Sequence, residues 1–140
     1  MDINEYKIED LSEGLEESIE MLITEELLDA FIEISGDRSP IHCDTEFAKQ
    51  QGFSGRVVHG QLLGAGVSRL VGTRLPGRYA VLQSIEIGFR APCYAPERVI
   101  VSGVVDSVSE SVGQVTLKVT IRGEDQRLLA KGTAKALVRT

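Results

Sequence analysis

One segment constrains what the rest of this chain can become. "HGQLLGAGVSRLVGTRL", from His59 to Leu75, reads as a helix carrying Gly64, Ala65 and Gly66 in its interior. Glycine inside a helix costs about 1 kcal/mol relative to alanine, so close packing on another backbone, or function, must offset it. An "LPG" turn at Leu75–Gly77 follows, and beyond it the pattern changes from helical spacing to alternation. Ile85, Ile87, Phe89 and Ala91 alternate with Ser84, Glu86, Gly88 and Arg90. Val115, Leu117, Val119 and Ile121 alternate with Thr116, Lys118, Thr120 and Arg122. Further strands are expected near 97–108 and 127–138, with turns at "SESVG" and "GEDQ". Ala130, Gly132, Ala134 and Ala136 give the last strand a small-residue face, suited to a sheet curved round a helix.

Upstream of the helix the signals are shorter. "LEESIEMLI" reads as an opening strand. Thr24 is a helix N-cap, with Glu25 and Glu26 in the positive first turn. Leu27, Leu28, Phe31, Ile32 and Ile34 form the apolar stripe of that helix. Gly36 suits the left-handed position that ends it, and Pro40 prevents its resumption. Asp37 therefore lies in a loop just past a helix end. Asp44 can cap a second short helix over about 45–51, closed by Gly52.

Burial dictates the architecture. A chain of 140 residues is long enough for one domain, 1–140, with a real core. One long helix and several strands with one apolar face each are most economically buried as an antiparallel sheet wrapped round the helix, an α+β arrangement. This pattern resembles the hot-dog fold. So small a sheet leaves an edge exposed, and pairing edges between two copies removes that liability. A homodimer or higher homo-oligomer is expected.

Composition narrows the partners. Net charge is −6, made of an acidic first part and a basic remainder, which argues against nucleic acid as partner. Arg56, Arg69, Arg74 and Arg78 lie nearest the motif described next and suit a small anionic ligand or solvated surface. No apolar run reaches the roughly 18–20 residues of a spanning helix, and the acidic start "MDINEYKIEDLSEGLEE" is unlike a secretory signal. No membrane association and a cytoplasmic location are expected. Cys43 and Cys93 stand far apart without a CxxC pattern, so neither a metal site nor a disulfide framework is supported. "GQLLGAG" has the spacing GxxxGxG with no strand leading into it, which is not the dinucleotide fingerprint. No cofactor is expected.

Both histidines lie within "SGDRSPIHCDTEFAKQQGFSGRVVHGQ", Ser35–Gln61. "SGDRSPIHCD" is similar to the G-D-x-N-P-[LI]-H-x-D signature of the MaoC-like (R)-specific enoyl-CoA hydratases. "VVHGQLLGAGVSRLVGTRLPG" resembles that family's central-helix segment and the turn after it, and "FRAPCY" resembles its later F-x-x-P-V segment. The resemblance runs from about Phe31 to the C-terminus. It implies Asp37 and His42 as the acid–base pair and the Gly60 amide as the donor to an oxyanion. Ser39 stands where the family prefers Asn, and Gln61 where it usually has Met. "APCYAPERV" lacks the family's usual G-D turn.

The chemistry agrees. Hydrating a double bond conjugated to a thioester needs a base for water, a proton donor for the α-carbon, and a polariser for the carbonyl. Asp37 and His42, five residues apart across a proline bend, can converge on one water. Gly60 opens the central helix, where an amide has no internal partner and the dipole is positive. Ser39, Gln61 and Ser68 are expected to line the substrate pocket, whereas His59 is expected to cap or pack. The substrate class implied is an acyl-CoA or acyl-carrier-protein thioester, in a reversible hydratase/dehydratase reaction. A thioesterase of the same fold and a non-catalytic acyl-thioester-binding module are the competing readings.

Overall fold

A computed structural model describes residues 2–140. Strand β1 (Glu16–Ile23) leads through the N-cap Thr24, whose side chain accepts from Leu27 N–H at 3.0 Å, into helix α1 (Glu25–Ser35). Two short helices follow, α2 (Pro40–Cys43) and α3 (Thr45–Gln50). Asp44 caps α3 by accepting from Phe47 N–H at 3.1 Å. The sequence reads the stretch around Pro40 as a loop, yet it is one helical turn, because proline at the first helical position lacks only an N–H that needs no partner there.

Helix α4 (Gly60–Thr73) is the central helix. It precedes four strands: β2 (Ala80–Phe89), β3 (Glu97–Ser109), β4 (Gln114–Arg122) and β5 (Leu128–Val138). Every pairing is antiparallel, in the order β1-β3-β4-β5-β2. The alternating residues Val115, Leu117, Val119 and Ile121 are buried, as are Ala130, Ala134 and Ala136 of β5. Strand β2 starts earlier than its alternation suggests. The register shifts between Leu82 and Ser84, and that irregularity breaks the period of two.

The glycines of α4 now have separate explanations. A Cβ on Gly66 would fall 2.6 Å from Met21 Sδ and 3.0 Å from Val101 Cγ2, so the helix lies almost on β1 and β3. Gly103 of β3 answers from the other side, where a Cβ would be 2.9 Å from Leu70 Cδ2. Leu70, Val67 and Val71 fill the resulting core. Gly64 and Ala65 face elsewhere, as the cleft below explains. No helix among the described residues is long and apolar enough to cross a membrane.

Candidate active site

The chain leaves α1 through Gly36, whose φ of 71° is the left-handed conformation that favours glycine. This turn takes Asp37 off the helix. Its N–H donates to Ser35 Oγ at 3.0 Å. Its carboxylate oxygen Oδ1 accepts twice from Ser39, from the backbone N–H at 3.0 Å and from the hydroxyl at 2.6 Å. The Ser39 hydroxyl is the main reason the Asp37 carboxyl sits below its usual range. The Ser39 amide adds to that shift, burial opposes it weakly, and His42 and His59 contribute last. Oδ2 makes no hydrogen bond within the described chain.

His42 is buried on α2. Its Nδ1 lies 2.6 Å from the carbonyl oxygen of Val57. A carbonyl can only accept, so Nδ1 carries the proton and neutral His42 offers a bare Nε2. That Nε2 stands 3.8 Å from Asp37 Oδ2. This is too long for a direct hydrogen bond, but one oxygen at about 2.8 Å from each atom would bridge them.

The segment before α4 holds this loop like a strap. Val57 N–H donates to Ile41 O at 2.9 Å, and Arg56 Nε donates to His42 O at 2.9 Å. Arg56 is itself anchored on Asp29 of α1 at 2.5 Å. Asp37, His42 and Gly60 all line one cleft of about 1150 Å³, whose walls come from α4 (Gln61, Gly64, Ala65) and β2 (Ile85, Ile87, Phe89). That is large enough for a drug-sized ligand and is mostly apolar.

Residues 9–125 match the family described as the MaoC like domain. The chain belongs to this family. It is 43% identical over 84 residues to the 3-hydroxybutyryl-CoA dehydratase of Methylorubrum extorquens, covering 60% of this chain and 54% of that protein. It is 30% identical over 115 residues to the (R)-specific enoyl-CoA hydratase of Rhodospirillum rubrum, covering 82% of this chain and 80% of that one. The chain thus spans about half the length of the first relative and four-fifths of the second. Its fold superposes on the (R)-hydratase from A. caviae involved in PHA biosynthesis with a TM-score of 0.86 at 26% identity, covering 91% of this chain and 97% of that chain. The arrangement is the hot-dog fold, as the strand pattern implies.

Against this MaoC-like frame the other expected pocket residues divide. Gln61 lines the cleft at the first turn of α4. Ser39 faces Asp37 and spends its hydroxyl there, outside the cleft lining. Ser68 is exposed one turn beyond Ala65 on the same stripe of α4, also outside the lining. Phe89, which the sequence offers as a strand residue and not as a site residue, also lines the cleft. Its ring covers Gly60 so closely that a Cβ there would lie 2.6 Å from Phe89 Cζ. Only the "FRAPCY" resemblance hinted at its position.

Asp37, His42 and His59 each offer a possible ligand atom, all within 4.8 Å of one another. The two rings are stacked, with centroids 3.8 Å apart and planes at 20°. Ring lone pairs lie in the ring planes, so these two run nearly side by side and do not meet at a tetrahedral centre. The geometry favours a bridged water over a shared ion.

Proposed function

We propose that this chain is a hydro-lyase that reversibly adds water across the double bond of a trans-2-enoyl thioester to form an (R)-3-hydroxyacyl thioester. One observation carries the reading. Asp37 Oδ2 and His42 Nε2, the two unspent atoms of the pair, face each other across 3.8 Å in a cleft shared with Gly60.

In the forward direction a water held between the two atoms loses a proton to one of them, and its oxygen bonds to C3. The electron pair of the double bond moves toward the thioester oxygen. The Gly60 amide and the positive end of α4 stabilise the charge developing there. The captured proton then passes to C2, so one water is consumed, both side chains return to their starting states, and no oxidant or reductant is needed. The apolar groove between α4 and β2 takes the acyl chain, with Gln61 in its lining. Ser39 orders the carboxylate, and Ser68 would be reached only by a longer chain. The names of the relatives support the (R) hand and a carrier that is coenzyme A or acyl carrier protein.

The working unit is a homodimer or larger homo-oligomer. Strand β2 ends the sheet and exposes Val81, Ile85 and Phe89, which pairing with a second copy would cover.

Loss of conjugated absorbance from crotonyl-CoA on mixing with the purified chain is the direct test. Asp37→Asn and His42→Gln should each lower the rate by ~100-fold or more. Near-normal rates in both would end the assignment, and release of free thiol without hydration would redirect it to a thioesterase.

A further inference from the structure

We propose that His59 is a positioning residue of this site, an inference that rests on the hydratase reading above. His59 is the N-cap of α4, yet its side chain caps nothing. The residue is only 2% exposed, its ring stacks on His42, and its edge meets Phe31 with centroids 5.0 Å apart. Its Nε2 lies 3.0 Å from the backbone carbonyl oxygen of Asp37. The carbonyl accepts, so the His59 proton resides on Nε2 and its Nδ1 keeps a bare lone pair. That Nδ1 is buried without a hydrogen-bond partner among the described residues.

A residue that only filled space here would be better as an aromatic hydrocarbon, which stacks on His42 equally well and leaves no buried acceptor unpaired. The imidazole gains its single hydrogen bond by holding the backbone of Asp37. One ring therefore touches both members of the acid–base pair, by a hydrogen bond to one and a stack on the other. Because His59 directly precedes Gly60, the same ring ties the 3.8 Å gap to the amide that opens the helix. In this account His59 touches no reacting atom. It sets the distance between the groups that do.

The bond and the stack can be separated. His59→Phe keeps the ring and loses the donor, whereas His59→Gln keeps a donor of similar reach. His59→Phe should lower kcat ~30-fold or more while KM stays within ~3-fold, and His59→Gln should recover most of that kcat. A near-normal kcat in His59→Phe, or equal damage in both variants, overturns the proposal. Should either variant fail to fold, nitrogen NMR of the wild-type chain decides. The Nε2–H tautomer is expected for His59 at neutral pH, and the Nδ1–H tautomer refutes the bond. A wild-type chain that hydrates no enoyl thioester would sink the hydratase reading, a result distinguishable from any of these.

Discussion

Ser39 donates two hydrogen bonds to one oxygen of Asp37, from its hydroxyl at 2.6 Å and its amide at 3.0 Å, and so leaves the other oxygen turned toward His42. The serine that stands in place of the family's usual asparagine thus orders the carboxylate through a short local turn.

From that pairing comes a prediction about pH. The Asp37 carboxyl is held below its ordinary value of 3.8, chiefly by the Ser39 hydroxyl. A group with a depressed pKa in the fold stays charged to lower pH, and its stabilising bond is lost only as pH falls through that depressed value. Ser39→Ala removes the main cause, so the acid limb of kcat/KM should move to higher pH. An unmoved acid limb would show that another group governs it.

A second expectation concerns Gly60. A Cβ there would meet the Phe89 ring at 2.6 Å, the far end of a side chain that can turn aside. Gly60→Ala should fold, but with the ring or the helix start displaced, and kcat should fall ~10- to 100-fold. Adding Phe89→Ala should restore part of the loss. An additive double variant would mean that the ring and the glycine act independently.

The two thiols should react differently. Cys93 is buried, donates to Glu97 Oε1 at 3.7 Å, and has its thiol pushed up to about 12, first by burial and then by the neighbouring carboxylate. Cys43 is exposed. Titration of the native chain with a thiol reagent at mildly alkaline pH should count one fast thiol, and a second only after denaturation. Two fast thiols in the native chain would contradict this placement.

Gly132 tests the seam between β5 and the edge strand. A Cβ at this position would run into the Glu86 carbonyl, a backbone group with no freedom to turn aside. Gly132→Ala should therefore cost about 1–3 kcal/mol of stability by overpacking, read as a lower midpoint in urea. Because Ile87 and Phe89 continue the same strand into the cleft wall, activity should suffer as well. Unchanged stability would mean that β2 can shift without penalty.

Much of this molecule is set by local physics, and local physics is legible in a sequence. Thr24 caps α1 and Gly36 ends it because the first amides of a helix need an acceptor and its last turn favours a left-handed residue. The alternation over Val115–Ile121 marks a strand with one buried face, and Ala130, Ala134 and Ala136 of the last strand are buried on one face as their spacing implies. The motif likewise brings Asp37, His42 and Gly60 to attention as residue types at a spacing. What the one-dimensional record lacks is every relationship that depends on which surfaces meet. The early start of β2 is hidden by a register shift, because pairing with β5 decides which residue bulges. The stack of His59 on His42 joins residues 17 positions apart, and the cover of Phe89 over Gly60 joins residues 29 apart. Such contacts exist only once α4 is seated in the sheet, since neither histidine nor phenylalanine carries any local preference for the other. Tertiary packing alone therefore decides that a carboxylate and an imidazole stand a bridging water apart, because that distance is the sum of a strap, a stack and a helix seat and belongs to none of them singly.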